Sequence, residues 1–200
     1  MGRLSDSVQR LQILRVGGIS TNWITFTNYP GEMAIIQGDT RVDGQSTCSS
    51  YTGAQYVKFL GTPFLNGGLV FQGCNSKTTV ACTSNTTRGL VDVMYTHDIT
   101  FDHVEIRNAD YHAGLYQYGD TTTGGGYNIQ VLGSYIHDNG VSTTLDHGIY
   151  WDQNTAGGNL VANCVIENNA ASGMQTYGAT SPAFEIDIEE NTIVGNGITA

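Results

Sequence analysis

The sequence predicts an all-β chain wound as a parallel β-solenoid, and three observations lead there. Apolar residues alternate with period 2, and no window carries a 3.6-residue pattern. One pattern of two short strands and a corner recurs at near-constant spacing. Asn, Asp or Gly stands at each corner, where a chain must turn sharply.

The repeat is plainest in the second half. The segment from Ile99 to Asn108 aligns with Ile129 to Asn139, Leu160 to Asn169 and Ile186 to Asn196. The second-strand residues Ile106, Ile136, Ile166 and Ile193 recur at intervals of 30, 30 and 27. A third strand follows the first three units, centred on Leu115, Ile149 and Met174. Three short strands per turn, at about 25–35 residues per coil, describe a solenoid. Stacking coils then predicts inward ladders Ile106/Ile136/Ile166/Ile193, Ile99/Ile129/Leu160/Ile186 and Leu115/Ile149/Met174. Asn108, Asp138 and Asn168 share one corner position, and Asn139, Asn169 and Asn196 the next. Asn suits both, since it tolerates left-handed backbone and its amide can bond the same group one coil away.

The first half is less regular. Strands are expected at Trp23–Phe26 and Met33–Gly38, around the turn Asn28-Tyr29-Pro30-Gly31-Glu32. Polar excursions over 39–55 and 72–88 are expected to leave the stack as loops, functional or covering. The 200 residues read as one domain without capping segments, and so as part of a longer solenoid or one packed end to end with a partner or copy. Four cysteines form no CxxC pair, so no zinc pattern arises. Cys74 and Cys82 flank a polar loop they could close, and Cys164 reads as a small buried hydrophobe.

Composition narrows the function. With 8 basic residues against 18 acidic ones, the net charge of -10 excludes a nucleic-acid binder. No run approaches the roughly 20 apolar residues of a membrane-spanning helix. The first residues lack the apolar core of a secretory signal.

Trp23 to Gly38 looks like the early coil of right-handed parallel β-helix proteins of the pectate-lyase-like superfamily. The stretches His97–Asn108 and Asp146–Tyr150 are similar to their repeat, and the likeness runs over roughly residues 11 to 198. The resemblance implies a right-handed parallel β-helix and an extracellular or cell-surface protein that handles carbohydrate. That superfamily holds polysaccharide lyases, glycoside hydrolases, uronan epimerases, and non-enzymatic adhesins and tailspikes. The Asp-Pro-His-Asp sequence of the epimerases is missing, and Tyr150-Trp151-Asp152-Gln153 stands nearby instead.

Candidate chemistry lies on outward positions. On the third strands Tyr116, Tyr118, Tyr150, Asp152 and Tyr177 align as an aromatic and acidic strip fit for a glycan, or for simply covering a sheet. On the second strands Arg107, His137 and Glu167 form a mixed-charge ladder, with Arg107 a candidate carboxylate clamp and a solvated ion-pair ladder the plainer reading. The loops before the third strands hold Asp110, Tyr111 and His112 in one coil, Asp146 and His147 in the next. A histidine there is suited to abstract the proton beside a uronate carboxylate, and a tyrosine such as Tyr150 to return one. Carboxylates spread over adjacent coils leave hydrolysis open. Calcium is the one candidate cofactor, with Glu185, Asp187, Glu189 and Glu190 as oxygen donors that alternation assigns to different faces. The two function classes are polysaccharide degradation, by lyase or hydrolase, and a non-enzymatic glycan-binding or structural β-helix.

Overall fold

A computed structural model describes residues 10–13, 17–44, 53–62, 68–74, 88–119, 125–142, 144–152, 157–178 and 185–197. Strands fall in threes, one triplet to a coil. The first two coils hold β1 (Arg10–Ile13), β2 (Ile24–Thr27), β3 (Met33–Gln37), β4 (Asp39–Asp43), β5 (Gln55–Leu60) and β6 (Gly68–Gln72). The next two hold β7 (Gly89–Met94), β8 (His97–Asp102), β9 (Val104–Arg107), β10 (Ala113–Tyr118), β11 (Tyr127–Leu132) and β12 (Tyr135–His137). The last two hold β13 (His147–Asp152), β14 (Asn159–Ala162), β15 (Val165–Glu167), β16 (Met174–Tyr177), β17 (Ile186–Glu189) and β18 (Thr192–Val194). Every third strand pairs in parallel, giving three six-stranded sheets: β1-β4-β7-β10-β13-β16, β2-β5-β8-β11-β14-β17 and β3-β6-β9-β12-β15-β18. The solenoid expected from the repeat is therefore present, and it includes the first half. No helix of the described residues is long and apolar enough to cross a membrane.

Inward residues of the three sheets form one core. Phe26, Phe59 and Phe101 stack up the second sheet at centroid distances of 5.3 and 5.0 Å. Phe71 meets Phe59 edge-on from the third sheet at 5.3 Å, an arrangement that adds quadrupole attraction to buried area. The ladder Ile106/Ile136/Ile166/Ile193 is in register throughout. Its last rung differs from expectation: Ile193 is 47% exposed, because no described coil lies over it.

Two further expectations need correction. The polar excursion does not begin at residue 39, since Asp39–Asp43 forms β4, whose Thr40 and Val42 take inward positions beside Val91 and Val93. Leu160 is not the rung below Ile129; Leu160 pairs with Gln130, which leaves the inward rung to buried Asn159. The cause is local hydrogen bonding. Asn159 Oδ1 accepts from Ile129 N–H at 3.0 Å, while its amide donates to the carbonyls of Gly126 (3.3 Å) and Glu185 (3.1 Å).

The corners explain which sheet is bordered by loops. In the last four coils one left-handed residue turns the chain between second and third sheets: His103, Gly133, Asn163 and Glu190, with φ of 53°, 52°, 57° and 52°. Leaving the third sheet, Asn108, Asp138 and Asn168 take φ of 59°, 54° and 54°, as the corner reading expected. Behind them Asn139 donates to Asn169 Oδ1 at 2.9 Å and Asn169 to Asn196 Oδ1 at 2.8 Å, tying successive coils. The connections of eight or more residues all enter or leave the first sheet, so its outward face lies between two rows of loops. Cys164 is a free buried thiol, whose pKa burial pushes up to about 11. Cys74 is disulfide-bonded, and Cys82, the partner expected for it, lies outside the described residues.

Candidate functional site

On the outward face of the first sheet, Tyr116 stands between Asp92 and Tyr150, and Tyr118 between Met94 and Asp152. The strip read from the sequence is thus in register, but Tyr116 is no surface ring. It is 0% exposed, capped by Arg88, whose guanidinium lies 5.5 Å from its centroid and 5.7 Å from that of Tyr118. Arg88 Nη1 donates to Tyr116 Oη at 2.5 Å, and the tyrosine O–H donates on to Asp152 Oδ2 at 2.8 Å. Burial pushes the Tyr116 phenol far above its usual range, and Asp152 strengthens the effect. Asp152 is itself buried, and burial raises its carboxyl although Tyr116 and Arg88 oppose the rise. Its Oδ1 is buried and meets no donor among the described residues. Tyr150 is half-buried with its ring 5.6 Å from that of Tyr116, and Tyr177 is exposed.

The two histidines come to the same border of this sheet. His147 begins β13 and its ring lies 5.4 Å from Tyr150. His112 precedes β10, edge-on to Tyr111 at 4.4 Å, near enough to Arg88 and Asp146 to feel both charges. Desolvation lowers the pKa of both, so both are neutral at pH 7. Their roles separate through one hydrogen bond. His147 Nδ1 accepts from the Ser172 backbone N–H at 3.2 Å, which assigns the ring proton to Nε2. That buried Nε2–H meets no acceptor among the described residues, which makes His147 a hydrogen-bond donor rather than a base. His112 Nδ1 is also buried without a partner among the described residues.

Three sequence candidates take other places. Asp146 accepts from the backbone N–H of His112 (2.8 Å), Val141 (2.8 Å) and Ser142 (2.7 Å), so both oxygens build the corner rather than face a substrate. Asp110 stands at the bend two residues before His112. Arg107 is on the third sheet, remote from the tyrosine strip, and is committed to Gln72 Oε1 (2.9 and 2.6 Å) and Glu105 Oε1 (2.6 Å). Glu105 also faces His137 at 3.0 Å. Burial pushes its carboxyl up, but His137 and Arg107 outweigh that and hold it below the usual range.

Arg88 is the candidate site residue that sequence reasoning missed. It follows a long polar excursion and opens a strand outside the aligned repeats; its scarcity, as one of 8 basic residues, was the available signal. Among the described residues no group of three or more His, Cys, Asp or Glu is placed to hold a metal ion. Glu185, Asp187 and Glu189 do share one side of the chain, contrary to expectation, but they step along it about 6.6 Å apart.

Comparison with curated proteins and with solved structures finds no match. A family model described as right handed beta helix region matches residues 42–200, which span five of the six coils traced above. With that model covering most of its length, the chain belongs to the right-handed β-helix family.

Proposed function

We propose that this protein is an extracellular, carbohydrate-active β-helix that cleaves a uronate-containing polysaccharide by β-elimination on the outward face of its first sheet. The observation that carries the reading is the pair of neutral histidines, each with a buried, unpartnered ring nitrogen, beside Tyr150 and Arg88. Arg88 keeps unused N–H donors for a uronate carboxylate, whose neutralisation acidifies the adjacent C5–H. The neutral His112 ring takes the C5 proton, the C–H electrons form the C4=C5 double bond, and the C4–O4 bond breaks. The departing O4 accepts a hydrogen bond from the neutral His147 Nε2–H and takes up the proton that His112 has gained, which restores both rings. Tyr150 and Tyr177 offer ring faces to flanking sugars. Hydrolysis would instead rest on Asp152, whose raised pKa suits an acid. Binding without turnover would rest on the exposed Tyr177 ring and the half-buried Tyr150.

The test is a panel of uronate-containing and neutral polysaccharides, followed by ultraviolet absorbance of the new double bond and by reducing ends. Absorbance and reducing ends should rise together on a uronate chain. His112→Ala should abolish both, and kcat/KM should fall as pH drops through a value below 6.5, where His112 gains a proton. Reducing ends without absorbance would mean hydrolysis, and saturable binding without either would mean the non-enzymatic reading.

A further inference from the structure

Arg88 is followed by a glycine that lets its strand come unusually close to the next. A Cβ at Gly89 would stand 2.8 Å from the Tyr116 Cβ, a separation no side chain tolerates. The close approach lays the Arg88 guanidinium across two rings of one strand. Tyr116 and Tyr118 are nearly parallel, 7° apart with centroids 6.4 Å apart, and Tyr95 meets Tyr118 edge-on at 5.1 Å. Cation–π attraction holds the guanidinium on that platform.

The Tyr116 hydroxyl adds a second hold, between two opposite charges. Arg88 Nη1 and Asp152 Oδ2 are 3.9 Å apart, too far for a direct hydrogen bond, and the phenol bridges them at 2.5 and 2.8 Å. The carboxylate fixes the direction of the O–H, which turns the oxygen lone pairs toward the guanidinium. Asp152 is thereby kept from taking the arginine fork in a direct pair. The Nη1 bond leaves the other N–H donors of the fork, and the Arg88 side chain stays 57% exposed. Tyr116 itself is 0% exposed and touches no sugar.

We propose that Tyr116 is a positioning residue: its hydroxyl, backed by Asp152, holds Arg88 as a preformed carboxylate receptor, so that this place on the first sheet selects a uronate over the neutral sugar of the same ring. Arg88 as the clamp of the proposed elimination is the premise on which this rests. A loose arginine gives up rotamer freedom when it meets a ligand, whereas one already held does not. Without the hydroxyl, the guanidinium closes onto Asp152 or swings free, and a carboxylate then meets an occupied or unordered partner. A neutral sugar relies on ring faces instead, so its binding is indifferent to Tyr116 Oη.

Calorimetric titration tests this in the His112→Ala background, where turnover is stopped. The probes are hexamers of galacturonate, glucuronate and mannuronate beside those of galactose, glucose and mannose. At least one uronate hexamer should bind, and more tightly than its neutral counterpart. Tyr116→Phe, which keeps the ring, should weaken that binding at least about fivefold. Arg88→Ala should weaken it as much or more, and adding Tyr116→Phe to Arg88→Ala should weaken it no further, as expected of a residue that acts through another. A merely structural tyrosine would multiply the two losses. Thermal unfolding of each variant reports whether the fold survives. Should Tyr116→Phe unfold because it strands the Asp152 carboxylate, Tyr116→Phe/Asp152→Asn replaces it, read against Asp152→Asn alone with the same expected loss. The proposal is overturned if no uronate hexamer binds, if a neutral hexamer binds as tightly as its uronate, if folded Tyr116→Phe binds unchanged, or if its loss multiplies in full with that of Arg88→Ala. Coupled binding without any rise in absorbance on the wild type strikes the elimination and leaves Tyr116 its role. Turnover of a uronate chain with unchanged binding in Tyr116→Phe strikes the role of Tyr116 alone.

Discussion

Asp146 and Asp152 are both buried carboxylates, one just before β13 and one at its far end, and their partners set them apart. Asp146 spends its oxygens on three backbone N–H groups that shape the corner carrying His112. Asp152 has one oxygen on Tyr116 and a buried one with no donor among the described residues. The first residue shapes a corner, and the second anchors the hydroxyl of a buried ring. Asp146→Ala should therefore cost about 1–2 kcal/mol in chemical denaturation, since lost capping acceptors at solvent-reachable amides fall in that range. Asp146→Asn, which keeps one acceptor oxygen, should recover part of it. Neither change should move the acid limb of the pH–rate profile; a displaced limb would make Asp146 part of the proton chemistry. Residue type alone could not have separated the two, because both read as Asp beside His or Tyr in a loop-bordered strand.

At the level of elements, coils are joined by strand hydrogen bonds and by the buried Asn column. Asn169 Oδ1 accepts from both the backbone (3.1 Å) and the amide (2.9 Å) of Asn139, and its own amide reaches Ile136 O at 3.3 Å and Asn196 Oδ1 at 2.8 Å. Removing that side chain leaves several polar groups unpaired in a region closed to water. Asn169→Ala should destabilise by about 3 kcal/mol, read from the denaturant midpoint at unchanged slope. A loss below about 1 kcal/mol would mean that water replaces the ladder. This column was legible because Asn139, Asn169 and Asn196 keep their place within each repeat. The strand register was legible wherever an isoleucine marked the rung, as at Ile106, Ile136 and Ile166. It failed at Leu160, since hydrophobicity alone puts Leu inward and cannot weigh the three hydrogen bonds that draw Asn159 into that rung. The position of Arg88 was illegible for a related reason: a long polar connection hides which strand it opens.

Across the whole molecule, the charge balance bears on which substrate can approach. The chain carries a net charge of -10, and the first-sheet face adds Asp43, Asp92 and Asp152 around Arg41 and Arg88. Arg41 is tied to Asp43 at 2.5 Å, which leaves Arg88 to meet an incoming carboxylate. A polyuronate is thus attracted at one point and repelled by the surrounding field, and screening acts more on the distant charges than on the close pair. Raising ionic strength from about 10 mM to about 0.15 M, where the Debye length shrinks to roughly 8 Å, should lower KM for the polyuronate several-fold and leave kcat nearly constant. The measurement is steady-state kinetics on the uronate chain in a sodium chloride series. A KM that rises with salt would show that the local pull of Arg88 outweighs the field of the whole chain, and would reverse this account of substrate approach.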